Sequence, residues 1–107
     1  MKRQAYRYRF TAKVPLDRAE ESLLLAVYAA EGVHGAARVR LEAGYLMDLD
    51  LRTCVVEANT PVGETVAQIF TGFLTREFGE DAFRVEPVGD AEPAPAPAQA
   101  EPAEAGR

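Results

Sequence analysis

The segment NTPVGETVAQIF, residues 59–70, carries residue types that could hold an anion. Thr60 and Gly63 stand where a predicted strand leads into an amphipathic helix, and free N–H groups at a helix start attract phosphate. The segment lacks both the lysine of a P-loop and the G-x-G-x-x-G of dinucleotide-binding proteins. Thr60 or Gly63 can also cap the helix unaided, and Glu64 would repel a phosphate. We therefore predict a capping role, with an anion site at Thr60 and Gly63 as the alternative, and expect Gly63→Ala to be mild.

Other residues with reactive side chains lack the neighbours that catalysis or metal binding requires. The single histidine, His34, follows a predicted helix without an evident partner. The single cysteine, Cys54, is predicted to point inward from a strand, and one cysteine excludes an internal disulfide and a multi-cysteine zinc site. Asp48 and Asp50 lack the further oxygen ligands of a calcium loop. We predict no catalytic residue, metal or cofactor, and an enzyme ranks last among the functions considered.

Hydrophobic spacing predicts the elements that must position these residues. Alternating apolar and polar residues indicate strands, and apolar residues three or four apart indicate helices. The resulting order is βαββαβ, with strands at 5–14, 37–47, 53–59 and 81–88 and helices at 17–31 and 62–78.

An internal repeat supports this order. A shift of 46 residues pairs identical residues such as Pro15 with Pro61 and Arg38 with Arg84. Two βαβ halves at a fixed offset are typical of a split βαβ sheet. We expect a ferredoxin-like α+β sandwich with four antiparallel strands and two helices on one face. Metallochaperones of this topology carry a Cys-x-x-Cys motif that this chain lacks, and no family is identified.

The end of the chain has a different composition. Residues 89–107 consist mainly of proline, alanine and glutamate and contain no aromatic or β-branched residue. Such a segment cannot bury enough apolar surface to offset the entropy of ordering. We predict one domain at 1–88 and a disordered tail at 89–107. The tail also carries much of the net charge of −5.

Basic residues concentrate on one face of the predicted sheet. This pattern fits a solvated face with cross-strand Arg–Glu pairs and a docking face about equally well. The favoured function is a noncatalytic interaction or assembly module that docks or self-associates through this face. The alternative is a nucleic-acid or anionic-ligand site there. RNA-binding sheets expose aromatic residues, whereas Tyr6, Tyr8 and Phe10 are predicted to point into the core. The predicted binding residues are Arg7, Arg9, Lys13, Arg38, Arg40 and Arg84.

No apolar stretch is long enough to span a bilayer, and no apolar run follows the basic residues near Met1. The expected location is therefore the cytoplasm, without membrane contact. The expected partner is another protein or a second copy in a homo-oligomer.

Overall fold

A computed structural model of the chain describes residues 4–89. The described part has α+β architecture, and the predicted tail lies outside it except for Gly89. The division into a domain at 1–88 and a tail therefore stays a prediction. In chain order the elements are β1 (Ala5–Phe10), α1 (Leu16–His34), α2 (Ala36–Glu42), β2 (Tyr45–Asp48), β3 (Thr53–Glu57), α3 (Pro61–Phe78), a 3-10 turn (Glu80–Ala82) and β4 (Phe83–Val88).

The four strands form one sheet in the order β2-β3-β1-β4, and all neighbouring strands are antiparallel. Tyr8 in the central strand β1 lies opposite Cys54 on β3 and Val85 on β4. On β2, Leu46 lies opposite Val55. The sheet therefore has two edges, β2 and β4, and each edge strand pairs with one neighbour in the described chain.

The predicted ferredoxin-like βαββαβ layout with two helices is wrong. Residues 4–89 contain three α-helices, because residues 36–42, predicted as the first part of the second strand, form α2 instead. The sequence AARVRLE is rich in strong helix formers, and Arg38 and Glu42 form an ion pair one helical turn apart, at 3.1 Å. The second strand is reduced to the four residues of β2.

The alternation of apolar and polar residues at 37–47, which predicted a strand, does not reflect one buried face in the structure. Val39 is the buried residue of α2, whereas Leu41, predicted to share its face, is 85% exposed. Arg38 and Arg40 consequently lie on a helix and not on the sheet. Gly35, with φ of 90°, separates α1 from α2 in a conformation that glycine adopts without strain.

The core lies between one face of the sheet and the helices α1 and α3. Small residues along the inward stripe of α1, such as Ala19, Ala26 and Ala30, are fully buried and allow the two helices to pack closely. The larger core side chains come from all layers, namely Tyr8, Phe10, Leu23, Val39, Val56, Val62, Val66, Phe70 and Leu74.

Tyr8 connects the sheet to α3. Its side chain is fully buried, and its ring lies 4.8 Å from that of Phe70 in a tilted arrangement. The hydroxyl donates to the Ala67 carbonyl at 3.1 Å and shares a hydrogen bond with the Thr71 hydroxyl at 2.7 Å. The buried phenol thus has partners for its polar end, which removes the desolvation cost of an unpaired hydroxyl.

Arg52 joins the β2–β3 turn to the loop between β1 and α1. One guanidinium nitrogen donates to the carbonyls of Thr11 at 2.6 Å and Val14 at 2.5 Å. The backbone of Arg52 has φ of 55°, and its own carbonyl accepts the N–H of Phe10. Arg52 therefore satisfies loop carbonyls that water would otherwise have to reach.

Burial suppresses the ionisation of two neighbouring core side chains. Desolvation raises the pKa of Tyr8 from 10.0 to about 12, and the hydrogen bond from Thr71 opposes this effect. Desolvation, with a smaller contribution from Glu20, raises the pKa of Cys54 from 9.0 to about 12. Both groups are thus held in their neutral forms in the folded chain, and Cys54 is not a poised nucleophile.

Replacing Arg52 with alanine should lower the free energy of unfolding by about 1–3 kcal/mol, because the two loop carbonyls lose their donor. Arg76→Ala is the matched control, since Arg76 is exposed near the end of α3 and should matter little. Urea unfolding followed by circular dichroism gives both values. Equal effects of the two substitutions would show that the loop does not depend on Arg52.

The free energy of unfolding should fall as the pH rises from about 9 to about 12. The unfolded chain loses the Cys54 and Tyr8 protons near their ordinary pKa values, whereas the folded chain retains them, so alkali favours unfolding. Urea unfolding at pH 8, 9.5 and 11 measures this trend. Tyr8→Phe and Cys54→Ala should each make the decline shallower, and an unchanged decline in both variants would contradict the assignment.

Candidate functional site

The sheet face opposite the core, here called the open face, is electrically balanced. Strand register places three arginines on it, and three acidic residues lie on the same face. The predicted excess of positive charge on the sheet is therefore absent within residues 4–89. The charged residues of the open face are Arg7, Arg9, Asp48, Glu57, Arg84 and Glu86.

Glu86 engages two of the three arginines. Its carboxylate lies 3.0 Å from Arg9 Nε and 3.9 Å from Arg7. Arg84 lies directly opposite Arg9 in the β1–β4 pair and makes no ion pair within residues 4–89. Exposed pairs of this kind contribute about 0.2–1 kcal/mol each, so they screen the arginines without fixing the fold.

The remaining predicted binding residues lie elsewhere. Arg38 and Arg40 belong to α2, and Arg38 is paired with Glu42 within that helix. Lys13 lies in the β1–α1 loop, 3.4 Å from Asp81. The structure thus brings together Arg7, Arg9 and Arg84 and separates the other three from them.

Thr60 and Gly63 form a helix cap. Thr60 Oγ1 accepts the N–H of Gly63 at 3.0 Å, and the following residue, Pro61, has no N–H to offer. Two of the amide positions that could face an anion are therefore already accounted for. The anion-site alternative gains no support from this geometry.

Gly63 has a second role that the sequence analysis missed. A Cβ atom at this position would lie 2.1 Å from the carbonyl oxygen of Glu57. The first turn of α3 therefore packs directly on the end of β3, and only a residue without a side chain fits. The expectation that Gly63→Ala is mild is overturned by this contact.

His34 and Cys54 are engaged in structural contacts. His34 Nε2 lies 2.8 Å from Thr65 Oγ1, so it connects the end of α1 to the first turns of α3. Cys54 is buried in the core. Within residues 4–89, neither side chain forms an ion pair.

A set of exposed apolar side chains surrounds the β2 edge, and we call this set the edge surface. Leu46 on β2 is 50% exposed and Tyr45 is 43% exposed, although both lie in a sheet strand. Two further leucines follow in the β2–β3 turn, where polar residues are usual. The edge surface comprises Leu24, Tyr28, Tyr45, Leu46, Leu49 and Leu51.

Helix α1 contributes to the edge surface through one stripe of residues. Leu24, Val27, Tyr28 and Glu31 are spaced at i, i+3, i+4 and i+7, so they share one side of the helix. Val27 and Glu31 line a cleft together with Tyr45, which shows that this side of α1 faces the β2 edge. Leu24 and Tyr28, 44% and 67% exposed, extend the same stripe.

The cleft itself lies between α1, α2 and the start of β2 and has a volume of about 220 Å³. Its walls combine apolar side chains with one acid and one base. The lining residues are Val27, Glu31, Val39, Arg40, Ala43 and Tyr45. The sequence held one signal for the edge surface, namely the apolar Leu49 and Leu51 within the predicted turn.

Replacing Gly63 with alanine should lower the free energy of unfolding by at least about 2–3 kcal/mol, because the Cβ atom would overlap the Glu57 carbonyl. Gly72→Ala is a matched control in the same helix. A Cβ atom at Gly72 meets nothing within 4 Å, so alanine should stabilise the protein by about 0.5–1 kcal/mol. Urea unfolding distinguishes the two signs, and a mild effect of Gly63→Ala would contradict the close approach.

Clusters of metal ligands and membrane-spanning helices are also absent from the described part of the chain. Within residues 4–89, no three histidine, cysteine or acidic side chains cluster as a metal site would require. None of the helices there combines the length and the apolar character needed to cross a bilayer. Comparison with protein-family models gives no match, and comparison with curated proteins gives none either.

Proposed function

We propose that this chain is a noncatalytic assembly module that binds another protein chain along the β2 edge of its sheet. The docking surface consists of the free backbone groups of β2 and the edge surface beside them. Backbone hydrogen bonds to a sheet edge provide affinity, and adjacent side chains provide selectivity.

The observation that carries this proposal is the difference between the two sheet edges. Natural sheets protect exposed edges with proline, lysine or short strands. The β4 edge contains Pro87, which cannot donate to a further strand, and the exposed Arg84. The β2 edge has neither proline nor lysine, and its protection is limited to its length of four residues and the charged Asp48 at its end. An edge left open beside apolar side chains is suited to a partner strand.

The open face supports docking less well than the β2 edge. Its charges balance, and Glu86 already engages Arg7 and Arg9. Among residues 4–89, the open face also carries no aromatic side chain on which an RNA base could stack. Tyr6, Tyr8 and Phe10 lie on the opposite face, where Tyr8 and Phe10 are buried and Tyr6 is 37% exposed. No observation on the described residues favours the nucleic-acid alternative over protein docking.

Photo-crosslinking in the cells that make the protein tests the proposal. A photoreactive phenylalanine analogue at Leu46 should crosslink to a protein that mass spectrometry can identify, either another protein or the chain itself. The same analogue at Arg84 is the matched control, because both positions lie on the open face but at opposite edges of the sheet. We expect several-fold more crosslinked product from position 46.

Two results would contradict this assignment. Equal crosslinking from positions 46 and 84 would favour docking across the whole open face. The absence of any protein crosslinked from position 46 would remove the β2 edge as a docking surface.

A further inference from the structure

We infer that the occupant of the β2 edge is a second copy of this chain, paired through an antiparallel β2–β2 contact whose two-fold axis passes beside Leu46. This inference rests on the proposed function and names its partner. The two four-stranded sheets become one continuous eight-stranded sheet.

The backbone of β2 determines which groups a partner can reach. The Glu57 N–H donates to the Gly44 carbonyl at 2.8 Å, so residue 44 points toward β3. Backbone groups of an antiparallel strand alternate in direction, and Leu46 and Asp48 therefore also point toward β3. The N–H and C=O groups of Tyr45 and Met47 point to the free edge.

Symmetry then selects the register. A two-fold axis perpendicular to the sheet keeps the open faces of both copies on one side. Facing residues of an antiparallel pair have their side chains on the same face, so one residue of β2 must lie opposite its own copy, beside the axis. Centring on Leu46 places Tyr45 of each copy opposite Met47 of the other. All four outward groups of each strand are then paired, which gives four hydrogen bonds across the contact.

The neighbouring registers are worse. Centring on Tyr45 places Met47 opposite Ala43, whose N–H already donates to Val39 at the end of α2, at 2.9 Å. Centring on Met47 places the Asp48 carboxylate opposite the apolar Leu46 and brings the turn residue Leu49 into the ladder. Each of these shifts leaves outward groups of the strand unpaired.

Side chains agree with the Leu46 register. On the open face, Leu46 of one copy faces Leu46 of the other, which covers a side chain that is half exposed in the single chain. Asp48, whose carboxylate accepts the Leu51 N–H at 3.0 Å, then faces Gly44, which has no side chain. The contact therefore brings no like charges together.

In this dimer, the α1 helices of the two copies also approach each other across the two-fold axis. Because the axis is perpendicular to the sheet, both α1 helices lie on one side, with their Leu24 and Tyr28 stripes directed toward the shared edge. The cleft beside this stripe contains one acid, Glu31, and one base, Arg40, so its own charges balance.

The available area suits a modest dimer. The edge surface exposes on the order of 600 Å² of mostly apolar area, taking about 200 Å² for a fully exposed side chain of this size. With the strand backbone and the cleft rim added, each copy approaches the roughly 800 Å² of a standard interface. Such an interface should be reversible and dependent on concentration.

Disulfide trapping tests the register in the full-length chain carrying Cys54→Ala. Facing residues that are not hydrogen-bonded have Cα atoms about 4.5 Å apart, within reach of a disulfide. Leu46→Cys should therefore form a covalent dimer with oxidised glutathione at least about tenfold faster than Met47→Cys. Two Met47 residues would lie diagonally, at about 7–8 Å, beyond that reach. Mixing Tyr45→Cys and Met47→Cys chains should restore crosslinking.

A second measurement is independent of cysteine chemistry. Size-exclusion chromatography with light scattering should show the unmodified chain approaching twice its monomer mass as concentration rises. Leu46→Lys should return it to the monomer mass, because two ammonium groups would face each other. Val33→Lys should not, since Val33 is 67% exposed but lies about 200° around α1 from Glu31.

The outcomes separate the inference from the proposed function. A monomer at all concentrations, or equal trapping at positions 46 and 47, overturns the two-fold contact. If position 46 then still photo-crosslinks to a different protein in cells, docking along the β2 edge stands and only the identity of the partner changes.

Discussion

The hydrogen bond from the Tyr8 hydroxyl to the backbone of α3 is the contact on which the rest of the described structure depends. It joins the centre of β1 to α3 on the sheet face where Phe10, Cys54 and Val56 are buried as well. Because side chains alternate along a strand, a covered Tyr8 requires Arg7 and Arg9 on the other face. The same register, carried through β3, determines which backbone groups of β2 remain at the free edge. The proposed docking geometry thus depends on the same register that places Tyr8 in the core.

Sequence patterns predicted the parts of the fold whose periodicity is long or strongly apolar. The positions of β1, α1, β3 and α3 follow from alternation and helical spacing, and the four-stranded antiparallel sheet is confirmed. Residues 36–42 were misassigned, because three apolar residues at alternate positions fit a strand although the intervening residues favour a helix. The 46-residue repeat strengthened the error. It matches Arg38 and Val39 in α2 with Arg84 and Val85 in β4, so identical residues occupy different structures.

The candidate site was less predictable because it depends on contacts between distant residues. The number of arginines on a predicted face does not reveal that Glu86 pairs with Arg7 and Arg9. It also does not reveal that Arg38 and Arg40 lie on a helix. In the same way, Gly63 resembled an anion-binding or capping glycine, and its close approach to Glu57 exists only once α3 packs on β3. The edge surface required knowledge of strand order, since nothing local to YLMD marks it as an edge strand. Local sequence propensity therefore predicts most helices and strands, whereas predicting the candidate site also requires the strand order and register.

The difference between the β4 and β2 edges of the sheet explains both where the charged residues of the open face lie and where the apolar residues of the edge surface lie. At β4, Pro87 and Arg84 make further strand pairing unfavourable, and the central arginines are balanced by Glu86. At β2, the strand is short, so a partner gains few backbone hydrogen bonds, and the neighbouring side chains must add to the affinity that those bonds provide. The six exposed leucines and tyrosines of the edge surface lie at that edge, on α1, on β2 and in the turn that follows it. A short open strand flanked by apolar side chains favours a specific, reversible contact over indefinite sheet growth, because the protected β4 edge ends the assembly on the far side.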